Sequence, residues 1–264
     1  YLEERSITNS QDNIYVLTLD MDDLATVRSF PDRYSKLLGS RKIDVLMNNI
    51  GTISMSREIT KDNFEKTFQS NHLGPFLLTA GLYPQMNRNG ARIVNVASLA
   101  HQFAKVIKTG ERGLDMENLN GELSYGLEGW EAYGNTKLEN ILFTRELQRR
   151  ANDAGLSWLT VVALHPGVVG TDLWNHTVVA KGGKKNSVQS FTSSLFYKNV
   201  LSNEEGANTQ IMLASSDISG IGKGRYYDEF GKVVDLDPSA RDEKKARELW
   251  QVSENLSSCK FNVQ

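Results

Sequence analysis

Tyr133 and Lys137 stand four residues apart in a strongly helix-forming run, which places both side chains on one face about a turn apart. A phenol with an ordinary pKa of about 10 is a poor base at neutral pH. A fixed ammonium one turn away favours the phenolate, and each unit of lowering is worth about 1.4 kcal/mol. That would bring the tyrosine into range for proton transfer. A surface tyrosine beside a solvated lysine has the same spacing, so the pair by itself does not discriminate. Other groups narrow the choice. Ser98 comes directly after the β-branched run Arg92–Ala97. Asn48-Asn49-Ile50-Gly51 follows a second such run, and His165-Pro166-Gly167-Val168-Val169-Gly170-Thr171-Asp172 a third. Open α/β sheets bind ligands at the carboxyl ends of their strands. Three such ends with polar, glycine or proline punctuation describe a crevice; one would describe a turn.

The elements that must hold these groups alternate. Ile14–Asp20, Ile43–Asn48, Arg92–Ala97 and Trp158–Leu164 are short apolar runs that predict buried strands. Asp22 or Asp23 caps a helix to Leu38, stopped by Gly39; Thr60 opens a long one to about Met86; Tyr133–Ala154 is the strongest of all. In that last helix Leu138, Ile141, Leu142, Arg145 and Leu147 are spaced for one buried stripe, while the charge of Arg145, Arg149 and Arg150 reads most simply as its wet side. Glu204–Ala214 and Asp242–Leu256 are further helices, and Gly224–Tyr227 a last short strand. Residues 101–131 read as a polar excursion and 171–203 as a flap without regular pattern. Strands alternating with long helices imply βαβ units and an α/β fold with a doubly wound parallel sheet. With no repeat and no linker, residues 1–264 read as a single domain.

Composition removes several classes. Thirty basic against 32 acidic residues give a net charge of −2, no field for nucleic acid. Cys259 stands alone, and His72, His101, His165 and His176 are scattered without ligand spacing, so no metal site is expected. Gly-x-Ser-x-Gly is absent, which argues against a hydrolase elbow at Ser98. No stretch approaches the roughly 20 apolar residues of a spanning helix. The sequence begins Tyr1-Leu2-Glu3-Glu4-Arg5 rather than with Met, so an upstream segment is expected to be missing, with room in it for a membrane anchor.

In order, Asn48-Asn49-x-Gly51, Asn71-x-x-Gly74, Ser98 after its strand, Tyr133-x-x-x-Lys137 and Pro166-Gly167 resemble the short-chain dehydrogenase/reductase family. The resemblance runs from about Leu19 to the end. The phrases Asn71–Thr79, Lys137–Leu147 and Ala240-Arg241-Asp242 leading to Leu249-Trp250 resemble its retinol-dehydrogenase-like branch. That resemblance implies a Rossmann-like sheet and an NAD(P)-dependent oxidoreductase interconverting an alcohol and a carbonyl. Tyr133 would be the general acid/base and Lys137 would lower its pKa while holding the nicotinamide ribose. Ser98 would orient the substrate carbonyl, and Asn71 would hold a relay water. Asn48, Asn49 and Gly51 would line the nucleotide, Asp20 would contact adenine, and Pro166, Gly167 and Thr171 would contact the nicotinamide end. The cofactor would be NAD or NADP, with NADP slightly favoured. The substrate would be a lipophilic alcohol or carbonyl such as a retinoid, steroid or lipid aldehyde. The branch leaves room for a homodimer and for a cytoplasmic location or a membrane-associated one on the cytosolic side, the membrane contact coming only through an upstream segment.

Two departures stand out. Ile50 occupies a place where the family usually has alanine, and a branched side chain there would narrow the groove. No glycine precedes Gly39, so the family's strand, glycine-rich turn and helix, which seat the pyrophosphate, have no counterpart before Asp20. Aligning Ile14–Asp20 with the family's third strand leaves its first two strands and first helix unaccounted for. The expectation is a domain lacking that βαβ unit, binding NAD(H) or NADP(H) weakly by itself; micromolar binding in calorimetry would contradict it. The alternative function is a catalytically inactive fragment or pseudo-enzyme that serves as an interaction module.

Overall fold

The computed structural model describes residues 14–126, 129–170 and 200–264. Four parallel strands form the sheet: β1 Val45–Asn48, β2 Ala91–Val96, β3 Leu159–Leu164 and β4 Tyr226–Tyr227, in the order β1-β2-β3-β4. Six helices accompany them among the described residues: α1 Leu24–Leu38, α2 Lys66–Phe68, α3 Gly74–Leu82, α4 Trp130–Asp153, α5 Asn203–Ser215 and α6 Glu243–Leu256. Alternation along the strands sorts the core. Ile93 and Val161 face Phe76, Phe143, Leu147 and Trp250 of α3, α4 and α6. Their neighbours Val94 and Val162 face Leu213 of α5 on the opposite side. The α/β architecture expected from the alternation is therefore present, with helices on both faces.

Three expectations need correction. Ile14–Asp20 is extended but joins no ladder, and Ile14 and Tyr15 are 53% and 41% exposed. A strand exists by pairing, and among the described residues no strand lies beside this segment. The helix expected from Thr60 begins only at Lys66. Thr60 instead closes a turn with Phe64, with Asn63 at φ 68° and its hydroxyl bonded to Gln69. Glu65 is the cap that starts the helix, its carboxylate accepting the backbone N–H groups of Thr67 and Phe68 at 2.8 and 2.7 Å. Finally, α4 is not a one-stripe helix: Tyr133 through Thr144 are buried without interruption. The sheet, α6 and the 3₁₀ turn Leu99–Phe103 close on it from different sides. Gly134 makes that closeness possible, since a Cβ there would stand 2.6 Å from the Ala100 carbonyl oxygen.

Complete burial leaves Glu139 on α4 with neither carboxylate oxygen bonded. Burial, with the Glu65 carboxylate nearby, raises its pKa well above the ordinary 4.5. A raised folded-state pKa means that the group's contribution is intact below about 4.5 and is lost as pH rises towards its folded value. Glu139→Met, similar in length and helix preference, should therefore stabilise the fold. We expect a gain of roughly 1–3 kcal/mol at pH 8, the cost of a buried group without partners, shrinking below pH 4.5. Urea unfolding at the two pH values checks this; equal gains at both would refute it.

Candidate active site

Between α2 and α3 the helix carries an irregularity. The helix passes from α2 into a π-helical turn, Gln69–Leu73, before α3 begins, and Asn71 sits in that turn. Widened turns of this kind re-aim a side chain at the expense of regular bonding. Asn71 is fully buried. Its Oδ1 accepts the Thr52 N–H at 2.8 Å, while its Nδ2 donates to the Thr52 carbonyl at 2.8 Å and to the Thr136 hydroxyl at 3.0 Å. Both amide protons are thus spent on tying the Gly51-Thr52 loop to α4, one residue before Lys137.

Ser98 ends the β2 crossing and caps the 3₁₀ turn, accepting the Ala100 N–H at 3.2 Å, which leaves its own proton free to donate. Its backbone carbonyl is held from behind by His101 Nδ1 at 2.7 Å. A carbonyl only accepts, so His101 carries its proton on Nδ1 and turns Nε2 to the Asp237 carboxylate, 3.6 Å away. Burial depresses the His101 pKa, with the Ser98 carbonyl and the Asp237 carboxylate opposing it. His101 and His165 both pack against Tyr226, with centroids at 5.6 and 5.5 Å.

Tyr133 and Lys137 reach the same space from the first turns of α4. Lys137 Nζ lies 5.4 Å from the Tyr133 ring centroid and donates to the Val96 carbonyl at 3.1 Å. The electrostatics differ from the sequence expectation. Burial pushes the Tyr133 phenol up to about 12, with the Ser98 hydroxyl pulling it partly back. Burial also pulls the Lys137 ammonium down to about 8, which still leaves it mostly charged at neutral pH. Desolvation outweighs the one-turn spacing.

These groups open onto a cleft of about 560 Å³ at the carboxyl end of the sheet. Asn49, Gly51, Ser98, Tyr133, Lys137, Pro166 and Gly167 line it together. Residues 98 and 133 are therefore brought together from elements 35 positions apart. The Asn48 side chain does not join them. It turns inward, donating to Thr79 Oγ1 at 3.0 Å and Asn95 Oδ1 at 2.8 Å, and Asn95 passes the chain on to Thr144 at 2.8 Å. Side chains alternate along a strand, so consecutive Asn48 and Asn49 part company. Asp20 is outside the cleft; its carboxylate bonds the Asp22 N–H at 2.9 Å. Ile50 is 42% exposed and does not narrow the groove. Thr171 and the flap aromatics Trp174, Phe191 and Phe196 lie outside the described residues.

Residues 3–108 match the family described as short chain dehydrogenase. Retinol dehydrogenase 14 of Mus musculus is 39% identical over 243 residues, 91% of this chain and 66% of that protein. Retinol dehydrogenase 12 of Homo sapiens is 33% identical over 246 residues, 93% of this chain and 69% of that protein. The chain belongs to the short-chain dehydrogenase/reductase family. Its retinol-dehydrogenase-like branch is where these relatives fall, and the chain spans about two thirds of their length. A solved structure from Mycobacterium Paratuberculosis, 30% identical, superposes with a TM-score of 0.67 over 94% of this chain and 77% of its own. The NADPH-bound carbonyl reductase from chicken fatty liver, 19% identical with a TM-score of 0.55, shares the Rossmann-like fold.

The short-chain dehydrogenase cleft has walls that sequence reasoning did not select. Trp130 packs edge-on against Tyr133 at 6.1 Å and meets Phe103 at 6.3 Å, so the phenol has an aromatic flank. Trp130 lies three residues before Tyr133, a spacing that was available as a signal. Ile53, Val169, Ala207 and Gln210 also line the cleft. Ala207 and Gln210 arrive on α5, and nothing local in their surroundings announces it. Among the described residues no helix is long and apolar enough to cross a membrane.

Proposed function

We propose that this protein interconverts an alcohol and a carbonyl on a lipophilic substrate, with a nicotinamide dinucleotide as redox partner. The observation that carries this reading is the meeting of Ser98, Tyr133 and Lys137 in one cleft whose other walls include the apolar Ile53, Phe103, Trp130 and Val169. A polar corner in an apolar cavity suits a retinoid, steroid or lipid aldehyde better than a sugar.

The residues present fit the nicotinamide end of such a cofactor. Gly51 leaves the loop bare where a Cβ would stand 3.2 Å from Lys137 Nζ. Lys137 uses one of its protons on Val96 and keeps two for ribose hydroxyls. Asn49, Pro166 and Gly167 complete that wall. We assign NADP(H) first and NAD(H) second, to be decided by titration. When bound, the cofactor supplies or accepts the hydride.

The chain's own residues handle the proton and the geometry. With its pKa near 12, Tyr133 keeps its proton at neutral pH, so it is set to protonate a carbonyl oxygen as that oxygen gains charge. Ser98, free to donate, orients the same oxygen from the sheet side. Asn71 holds the Gly51–Ile53 loop against α4 and so fixes the distance across the cleft. Mixing the purified protein with an aliphatic or retinoid aldehyde and NADPH or NADH, and following loss of nicotinamide absorbance, tests the assignment. Saturable reduction supports it. A folded protein that binds the cofactor by calorimetry yet reduces none of these aldehydes overturns it.

His101 acts here as a positioning residue. His101→Leu should lower kcat roughly threefold to tenfold, the worth of one buried hydrogen bond, with KM changing little. His101→Asn, which keeps a donor close to the Nδ1 position, should recover most of the loss. A thermal melt separates this from simple unfolding, and equal defects in both variants would refute the role.

A further inference from the structure

A second cavity of about 220 Å³ lies at the opposite end of the sheet, where the turn Gly222–Arg225 leads into β4, between the later turns of α4 and the start of α6. It shares no lining residue with the catalytic cleft. Its walls are rich in cations: Arg145 and Arg149 from α4, Lys223 and Arg225 from the turn.

Most of the charge nearby is already matched. Arg149 is spent on Glu146 and Asp153, and Arg150 on Glu146. Lys223 donates to the Ser157 carbonyl at 2.6 Å. Glu243, the remaining acid on the wall, is paired with Arg247 at 3.3 Å. Arg145 and Arg225 are different. Neither guanidinium has a hydrogen-bond acceptor or an ion pair among the described residues. Arg145 is half-buried, and its pKa is lowered by burial, with Arg241 and Arg225 repelling it and Glu243 opposing them. Two guanidinium groups without a partner among the described residues, at positions 145 and 225, therefore line one cavity from separate elements, α4 and the turn before β4. No run of basic sequence forces them together; the tertiary fold does.

We propose that this cavity binds a single phosphate group. A guanidinium presents a rigid fork of donors that matches phosphate oxygens two at a time, and two forks around one anion remove the repulsion between Arg145 and Arg225. The volume holds an oxyanion and a few further atoms, below the roughly 300 Å³ at which pockets for whole drug-sized ligands begin. The Glu146 and Glu243 carboxylates on the wall disfavour a long polyanion. Inorganic phosphate, a small phosphomonoester and a phosphate lipid headgroup present the same chemistry.

The test uses the whole chain and needs no catalytic turnover. Inorganic phosphate, titrated by calorimetry at low ionic strength, should bind with a Kd of order 1 mM or tighter, about −4 kcal/mol or better. Arg145→Gln and Arg225→Gln should each weaken it roughly tenfold. Arg145→Lys, which keeps charge but loses the fork, should fall between. Lys105→Gln, an exposed change elsewhere, should do nothing. Cosedimentation with phosphatidic acid vesicles but not phosphatidylcholine vesicles, lost in Arg145→Gln, would identify a lipid source. Binding of phosphate and glycerol 3-phosphate without cosedimentation would identify a soluble one. No heat with phosphate up to 10 mM, an equal response to chloride, or binding untouched by both glutamine variants would each overturn the site.

Discussion

Tyr133→Phe should reduce kcat by roughly a hundred- to ten-thousand-fold while KM for the carbonyl substrate changes by less than about threefold. The substitution removes one oxygen and keeps the ring that packs against Trp130. The cleft walls that would hold an apolar substrate, Ile53, Phe103 and Val169, are untouched. What disappears is the phenolic proton donor that reaches the cleft beside Ser98. The phenol is neutral in the folded protein because burial dominates its pKa, so the loss is of an acid and not of a stored charge. The melting temperature should therefore hold within a few degrees. Steady-state kinetics on wild type and variant at pH 7 decide it: a folded phenylalanine variant turning over within threefold of wild type would remove Tyr133 from the mechanism.

Trp250→Ala should cost roughly 3–5 kcal/mol of stability, a fall in melting temperature of about 10 °C. Trp250 is 2% exposed and stands at the centre of an aromatic cluster. It stacks on Phe261 at 4.9 Å and on Phe143 at 5.9 Å and meets Phe76 edge-on at 5.2 Å, with the Arg150 guanidinium 4.3 Å from its ring. These partners belong to α3, α4, α6 and the chain's last residues, so one ring closes the layer behind the helix that carries Tyr133 and Lys137. Its Nε1 has no acceptor, so Trp250→Phe should lose less than ring volume alone would dictate. Urea denaturation read by circular dichroism measures both. A loss below 1 kcal/mol for the alanine variant would mean that α6 is not a structural support for α4.

Much of the fold was legible because long elements carry their own periodicity. Asp23 caps α1, and Gly39 ends it at φ 61°, both as their residue types indicate. The runs at 92–97 and 158–164 became β2 and β3 within a residue or two of the expected bounds. Where expectation failed, a partner or a competing bond was decisive. Ile14–Asp20 has the composition of a strand and, among the described residues, no neighbour to pair with. Thr60 has the chemistry of a cap and spends it on a turn, leaving Glu65 to begin the helix. Arg145 had the spacing of a core stripe and the charge of a wet face, and it lines a charged cavity.

The amino-acid sequence by itself determined which groups could do chemistry, the helical register that sets Tyr133 one turn from Lys137, and the strand ends on which Ser98 and Gly167 fall. Only the tertiary structure decided what those groups are electrostatically and which of their neighbours face the cleft. The phenol's pKa follows from how completely α4 is enclosed, and enclosure is a sum over the sheet, α6 and the 3₁₀ turn. Asn48 and Asn49, adjacent in sequence, divide between core and cleft through the strand pleat. Arg145 and Arg225 are distant in sequence and line one cavity only after folding. Spacing along a chain encodes direction within one element, while burial and charge environment depend on all the elements packed around it.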